Sequence, residues 1–202
     1  MTEGTKQSID LKGRVPQPYI AIEGPIGVGK TTLARQLADL FDYQLLLEDA
    51  HENPFLSKFY ENRRQNALAT QLFFLFQRVQ KIDDLKQQDL FRPLRVADFL
   101  IDKDPLFAQV NLDADEYELY SKVYSQMTVD APTPDLVIYL QASVDRLLER
   151  IDRRGIASER TISRQYLEEL NEVYSEFFLY YDAAPLLIVN ANQIDLVNRH
   201  ED

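Results

Sequence analysis

Apolar positions along the chain fall into two alternating rhythms. Tyr19–Glu23 is a short apolar run ending in an acid, Lys30–Phe41 is amphipathic at helical spacing, and Gln44–Leu47 is again short and apolar. Short unbroken apolar runs suit strands covered on both faces, whereas a period near 3.6 suits helices with one buried face. The alternation continues with a long helix over about 66–88, where Leu68, Leu72, Leu75, Val79 and Ile82 recur at helical spacing. A strand is expected at Leu94–Ala97, a helix at Glu116–Gln126, a strand at Leu136–Leu140, helices at Val144–Arg153 and Tyr166–Tyr181, and a last strand at Leu186–Asn190. Such a pattern predicts a parallel sheet with helices on both faces. The expected architecture is a single α/β domain with a five-stranded parallel sheet flanked by helices. Residues 1–17 lack apolar periodicity and are expected to be a flexible tail, leaving 18–202 for the domain.

Composition narrows the chemistry. The 202 residues, 45% hydrophobic and 27% charged, suit one globular domain. With no Cys, a disulfide scaffold, a thiolate zinc site and a thiol nucleophile are excluded, and His51 and His200 have no metal-ligand spacing. Lys and Arg number 22 against 33 Asp and Glu, a net charge of −11. That charge repels phosphate backbones and anionic lipid alike, so neither nucleic acid nor a membrane surface is an expected partner. Any anionic ligand must be held locally. The apolar runs Leu72–Phe76 and Leu136–Leu140 are too short to span a bilayer, and the first thirty residues lack the order of a signal peptide, so the cytoplasm is the expected compartment.

The local anion site is plain. Gly24-Pro25-Ile26-Gly27-Val28-Gly29-Lys30-Thr31 follows the first strand and opens the first helix, matching G-x-x-x-x-G-K-[ST] in the context the motif requires. Glycine lets the backbone take positive φ and turn successive N–H groups onto phosphate oxygens at a helix N-terminus. Lys30 supplies a point charge to the β- and γ-phosphates, the Thr31 hydroxyl can ligate Mg²⁺, and Thr32 completes the ATP-binding run.

A phosphate cradle alone does not separate a kinase from a switch or a motor. Glu48, in Leu47-Glu48-Asp49-Ala50-His51-Glu52-Asn53-Pro54-Phe55, stands where a parallel sheet opens its ligand crevice, and is read either as a base on a hydroxyl or as a solvated acid. Gln71 and Arg78, with Phe74 between them, lie about 10 Å apart along one side of the long helix. An amide and a guanidinium suit the edge of a nucleobase, and equally suit a polar helix surface. Arg146, Arg150 and Arg154 share a helix face that ends at Gly155. They could close over a γ-phosphate or pair with Asp145, Glu149 and Asp152.

Taken together, these residues resemble the deoxynucleoside kinases, in particular the short bacterial deoxyadenosine/deoxyguanosine type, from Tyr19 to about Asn198. The resemblance rests on the glycine loop, on Glu52-Asn53-Pro54-Phe55-Leu56, on Tyr60 followed by Gln71 and Arg78, on Phe107-Ala108, and on Arg150-Ile151-Asp152-Arg153-Arg154-Gly155 with Glu159. It implies a P-loop kinase fold and transfer of the ATP γ-phosphate to the 5′-hydroxyl of a deoxyribonucleoside, purine favoured, by a homodimer using Mg²⁺. It further implies that Glu48 is the base, Tyr60 and Glu159 hold the sugar 3′-hydroxyl, Gln71 and Arg78 read the base, Phe107 stacks on it, and Arg150 and Arg154 form the lid. Asp98 is placed to support Mg²⁺ with Thr31.

Two departures stand out. Where the family has Arg after the acid that follows the third strand, this chain reads Asp98-Phe99, with Lys103 the nearest later cation, and Ile156 replaces the second Arg of the lid's R-G-R. One phosphate or 5′-oxygen contact is thereby unassigned. Asp102 and Asp104 are both candidate partners for Arg78. The rival readings are a nucleoside monophosphate kinase of thymidylate type and a non-kinase P-loop nucleotide-binding switch.

Overall fold

The computed structural model describes residues 19–87, 95–128 and 131–194. The expected tail at 1–17, residue 18, and the ends of the expected strand and helix at Leu94 and Gln88 lie outside the described residues. Five strands, β1 (Tyr19–Glu23), β2 (Gln44–Leu46), β3 (Arg95–Ala97), β4 (Leu136–Gln141) and β5 (Leu186–Asn190), form one parallel sheet in the order β2-β3-β1-β4-β5. All five residues of β1 are buried, as a central strand with both faces covered requires. The chain passes from β1 outward to β2, returns through β3, and crosses over β1 to β4. Carboxyl ends of strands at such a reversal form the ligand crevice of open α/β sheets.

Helix α1 (Lys30–Phe41) starts where the glycine loop ends and lays Ala34 and Ala38, one turn apart, against the sheet. Helix α3 (Arg63–Gln87) begins earlier than its apolar rhythm indicates. Its first turn is polar because Arg63 is used elsewhere, stacking 4.0 Å over the Tyr166 ring and pairing with Glu169. Two helices were not legible in the pattern: α2 (Leu56–Glu61) and α4 (Asp104–Asn111) are too short to display a period. Pro105 in the first turn of α4 suits a position whose N–H would have no partner. Helix α5 (Ala114–Met127) opens on a capping box between Asp113 and Glu116. Ser143 caps α6 (Val144–Arg154), Gly155 ends it at φ 71°, and Ser163 caps α7 (Arg164–Leu179).

The core lies between the sheet and these helices. Ile22, Val96, Leu140, Leu75, Leu147, Leu167 and Leu170 are fully buried, and each such side chain contributes about 1.5–3 kcal/mol. The crevice at the strand ends thus rests on a rigid base.

Candidate active site

The loop from Gly24 to Thr31 is clamped from both sides. At Gly24, with φ 151°, a Cβ would meet the Leu140 carbonyl oxygen at 2.4 Å; at Gly27, with φ 83°, it would meet Ile151 at 2.8 Å. Only glycine fits where β4 and α6 press this closely. Lys30 Nζ donates to the Gly24 and Pro25 carbonyls at 2.6 and 3.2 Å, folded over the mouth of the loop. Partial burial, and then the Lys103 ammonium, lower the Lys30 pKa to about 8.

The ends of β2 and β3 are knitted together beside that loop. Strand β2 stops at Leu46, one residue short of expectation, because the next amide turns aside: Glu48 N–H donates to Asp98 Oδ1 at 2.7 Å. The other Asp98 oxygen accepts from the Thr31 hydroxyl at 2.5 Å. Burial raises the Asp98 pKa against these hydrogen bonds. Thr31 and Asp98 present a hydroxyl and a carboxylate side by side, the hard oxygen donors that suit Mg²⁺ with a bound phosphate.

Glu48 faces three cations. Burial pushes its carboxyl up, but Arg78, Lys103 and Lys30 outweigh burial and bring the pKa down to about 2. Arg78 is bound by both Glu48 and Asp104, so the structure selects Asp104 rather than Asp102 as its partner on α4. Gln71 and Arg78, 3% and 4% exposed, both face inward from α3, and the Arg78 guanidinium lies 5.2 Å over Phe74. They are therefore not surface residues of that helix. The Phe107 ring meets Tyr174 edge-on at 5.9 Å. Asn53 fixes the segment before α2 by donating to the Thr70 carbonyl and accepting from the Phe55 amide, so that the pocket wall is tied to α3. Tyr60, on α2, has Glu159, Arg154 and Glu48 among its electrostatic neighbours.

The arginines of α6 divide their work. Arg146 pairs with Glu149 and donates to the Asn192 carbonyl, while Asp145 pairs with Arg164. Arg150 donates to the carbonyls of Val28, Ala191 and Ile194, tying the glycine loop to the segment after β5. Arg154 pairs with Glu159, which is carried on the 3-10 turn Ala157–Thr161. Lid and sugar-side candidates are thus joined directly.

Sequence reasoning missed Glu23. It is fully buried and accepts from Gly24 N–H at 2.8 Å, Leu100 N–H at 2.9 Å and the Tyr174 hydroxyl at 2.8 Å, with Lys103 also against it. A signal was available: a carboxylate ending an otherwise apolar central strand must be paired to be buried there. Tyr174 carried no such signal, and for Lys103 the only pointer was its being the nearest cation after Asp98, since the place of both depends on how α7 and the chain after β3 pack.

Comparison with known proteins agrees with this geometry. Residues 20–202 match the family model for deoxynucleoside kinases. The chain is 40% identical over 158 residues to a deoxyguanosine kinase of Bacillus subtilis (strain 168), covering 78% of this chain and 76% of that one. It is 31% identical over 189 residues to the deoxyadenosine/deoxycytidine kinase of the same organism, covering 89% and 85%. A structure of deoxyadenosine kinase from M. mycoides with bound dATP superposes with a TM-score of 0.78 at 28% identity, covering 89% of this chain and 93% of that one.

Proposed function

The chain belongs to the deoxynucleoside kinase family, and from that premise we propose that it transfers the γ-phosphate of ATP to the 5′-hydroxyl of a purine deoxyribonucleoside in nucleotide salvage. The observation that carries the reading is the meeting, at the ends of β1, β2 and β3, of a phosphate-binding loop with the Glu48 carboxylate. Glu48 orients the 5′-hydroxyl and accepts its proton. Lys30 and the loop amides hold the β- and γ-phosphates. Thr31 and Asp98 would hold Mg²⁺, which when bound neutralises phosphate charge. Gln71 and Arg78 read the base edge, with Asp104 fixing the guanidinium, and Phe107 stacks on the base. Tyr60 and Glu159 take the sugar 3′-hydroxyl, and Arg154 turns from Glu159 to the transferring phosphoryl group. Arg150 braces the loop from the lid side. The name of the 40% identical relative, deoxyguanosine kinase, supports the purine preference, and the 31% identical deoxyadenosine/deoxycytidine kinase makes deoxycytidine the pyrimidine to test beside the purines.

Among the described residues no helix is long and apolar enough to cross a membrane, and the reading has the protein acting as a homodimer in the cytoplasm. Molar mass by light scattering tests the dimer. The function is tested by ADP release from ATP over the four deoxynucleosides and their monophosphates. Rapid release with deoxyguanosine or deoxyadenosine and none with monophosphates is expected. Turnover confined to monophosphates would move the protein to the monophosphate kinases, and release indifferent to any acceptor would make it a nucleotide switch.

A further inference from the structure

Lys103 is 1% exposed, and an ammonium is withdrawn this far from water only against a large desolvation cost. The chain delivers it there by a specific path. Phe99, directly after Asp98, is buried in the core, the Leu100 amide is anchored on Glu23, and the 3-10 turn Ile101–Lys103 brings the next basic side chain back toward the strand ends. Its Nζ lies 3.3 and 3.4 Å from the two Glu23 oxygens, 3.8 Å from Glu48 Oε2 and 5.6 Å from the centre of the Phe107 ring.

None of these contacts reaches the roughly 2.7–2.9 Å of a tight charge-assisted hydrogen bond. Glu23 is already served at 2.8 to 2.9 Å by Gly24, Leu100 and Tyr174, so Lys103 is not needed to satisfy its oxygens. The ammonium instead stands between two carboxylates, with an N–H direction left toward Glu48. A hydroxyl oxygen hydrogen-bonded to Glu48 would come within reach of Lys103. The other two cations facing Glu48 are engaged: Lys30 on the loop carbonyls, Arg78 between Glu48 and Asp104.

We propose that Lys103 is a catalytic residue that binds the acceptor's 5′-oxygen and the γ-phosphoryl oxygens during transfer. The proposal rests on the kinase reading of Glu48. In the step, the 5′-hydroxyl proton passes to the Glu48 carboxylate and the 5′-oxygen forms a bond to the γ-phosphorus. The bond from that phosphorus to the β,γ-bridging oxygen breaks, and its electron pair leaves on ADP. Lys103 neither gives nor takes a proton. Its fixed positive charge offsets the negative charge gathering where acceptor and phosphoryl group meet, the position at which preorganised charge is most effective.

The test compares Lys103→Met and Lys103→Arg with the wild-type protein in single-turnover transfer from ATP to its best deoxynucleoside. Lys103→Met should lose about 10²-fold or more in rate, with ATP and nucleoside affinities within a few-fold, and Lys103→Arg should recover at least about a tenth of the wild-type rate. Should Lys103→Met fail to fold for want of a cation against Glu23, the double variant Glu23→Gln/Lys103→Met removes both charges and should show the same rate loss. A rate within about threefold of wild type in either Met variant overturns the proposal, as does a Lys103→Arg rate no higher than that of Lys103→Met. If the wild-type protein phosphorylates no deoxynucleoside, the kinase reading of the site has failed instead.

Discussion

The run from Gly24 to Thr31 makes its site from backbone amides, one lysine and one hydroxyl contiguous in sequence, whereas the pocket around Glu48 draws side chains from the ends of β1, β2 and β3 and from α2, α3, α4 and the lid. The first is shaped by glycines that nothing else could replace and by close packing against β4 and α6. The second is shaped by charge: Glu48, Arg78, Asp104, Lys103 and Glu23 form a partly or fully buried network in which each member is compensated by another. In a buried charge network, removing one partner leaves the other uncompensated at a cost of about 3–5 kcal/mol.

The sharpest way to break the donor side alone is Lys30→Ala. It should reduce transfer by about three orders of magnitude and strongly weaken ATP binding, while nucleoside binding and thermal stability stay close to wild type. Isothermal titration with each ligand checks this, and unchanged ATP affinity would remove Lys30 from the cradle.

On the acceptor side, Glu48→Gln keeps shape and its backbone contact to Asp98 but loses the charge and the proton acceptor. A fall of roughly 10²–10⁴ in single-turnover rate is expected, with ATP affinity unchanged. A rate within a few-fold of wild type would hand the role to another carboxylate.

Arg154→Ala probes the link between the two sides. Contacts to a transferring phosphoryl group strengthen as charge spreads, so kcat and kcat/KM should fall together, by about 10²-fold. Because Arg154 pairs with Glu159, the effects of Arg154→Ala and Glu159→Gln should be non-additive in a double-mutant cycle. Strict additivity would separate lid from sugar site.

Gln71→Leu is expected to raise KM for the nucleoside by about tenfold and to blur discrimination among bases, since a polar edge loses its partner. ATP parameters should not move. Loss of stability with wild-type base preference would make Gln71 structural.

The smallest effect is a slope. With its pKa lowered to about 8 by burial and then by Lys103, Lys30 loses its proton above that pH in the free protein, so ATP binding there requires proton uptake. The ATP Kd should rise by up to about tenfold per pH unit above 8. Lys30 makes the opposite contribution to stability. Its folded pKa lies below the unfolded value of about 10.4, so the unfolded chain binds more protons between the two and the Lys30 contribution to stability rises with pH. The Kd slope should vanish in Lys30→Ala. Its survival there would assign the pH dependence to another group.

What the sequence by itself determined were the features carried by neighbouring residues. The glycine loop, the start of α1 at Lys30, the apolar strands and the Ser143 and Gly155 ends of α6 depend on φ, capping and periodicity, each set within a few residues. The motif run also led to Glu48, Gln71 and Arg78 as candidates before their surroundings were known. Tertiary structure alone decided which acid holds Arg78, that Arg150 spends its guanidinium on loop carbonyls, and that Lys103 is held against Glu23 and near Glu48. Those assignments were illegible because short helices such as α2 and α4 carry too few residues to show a period. Moreover, a charged residue's worth depends on which partner packing brings within a few ångströms of it, across separations as long as that between Glu23 and Tyr174.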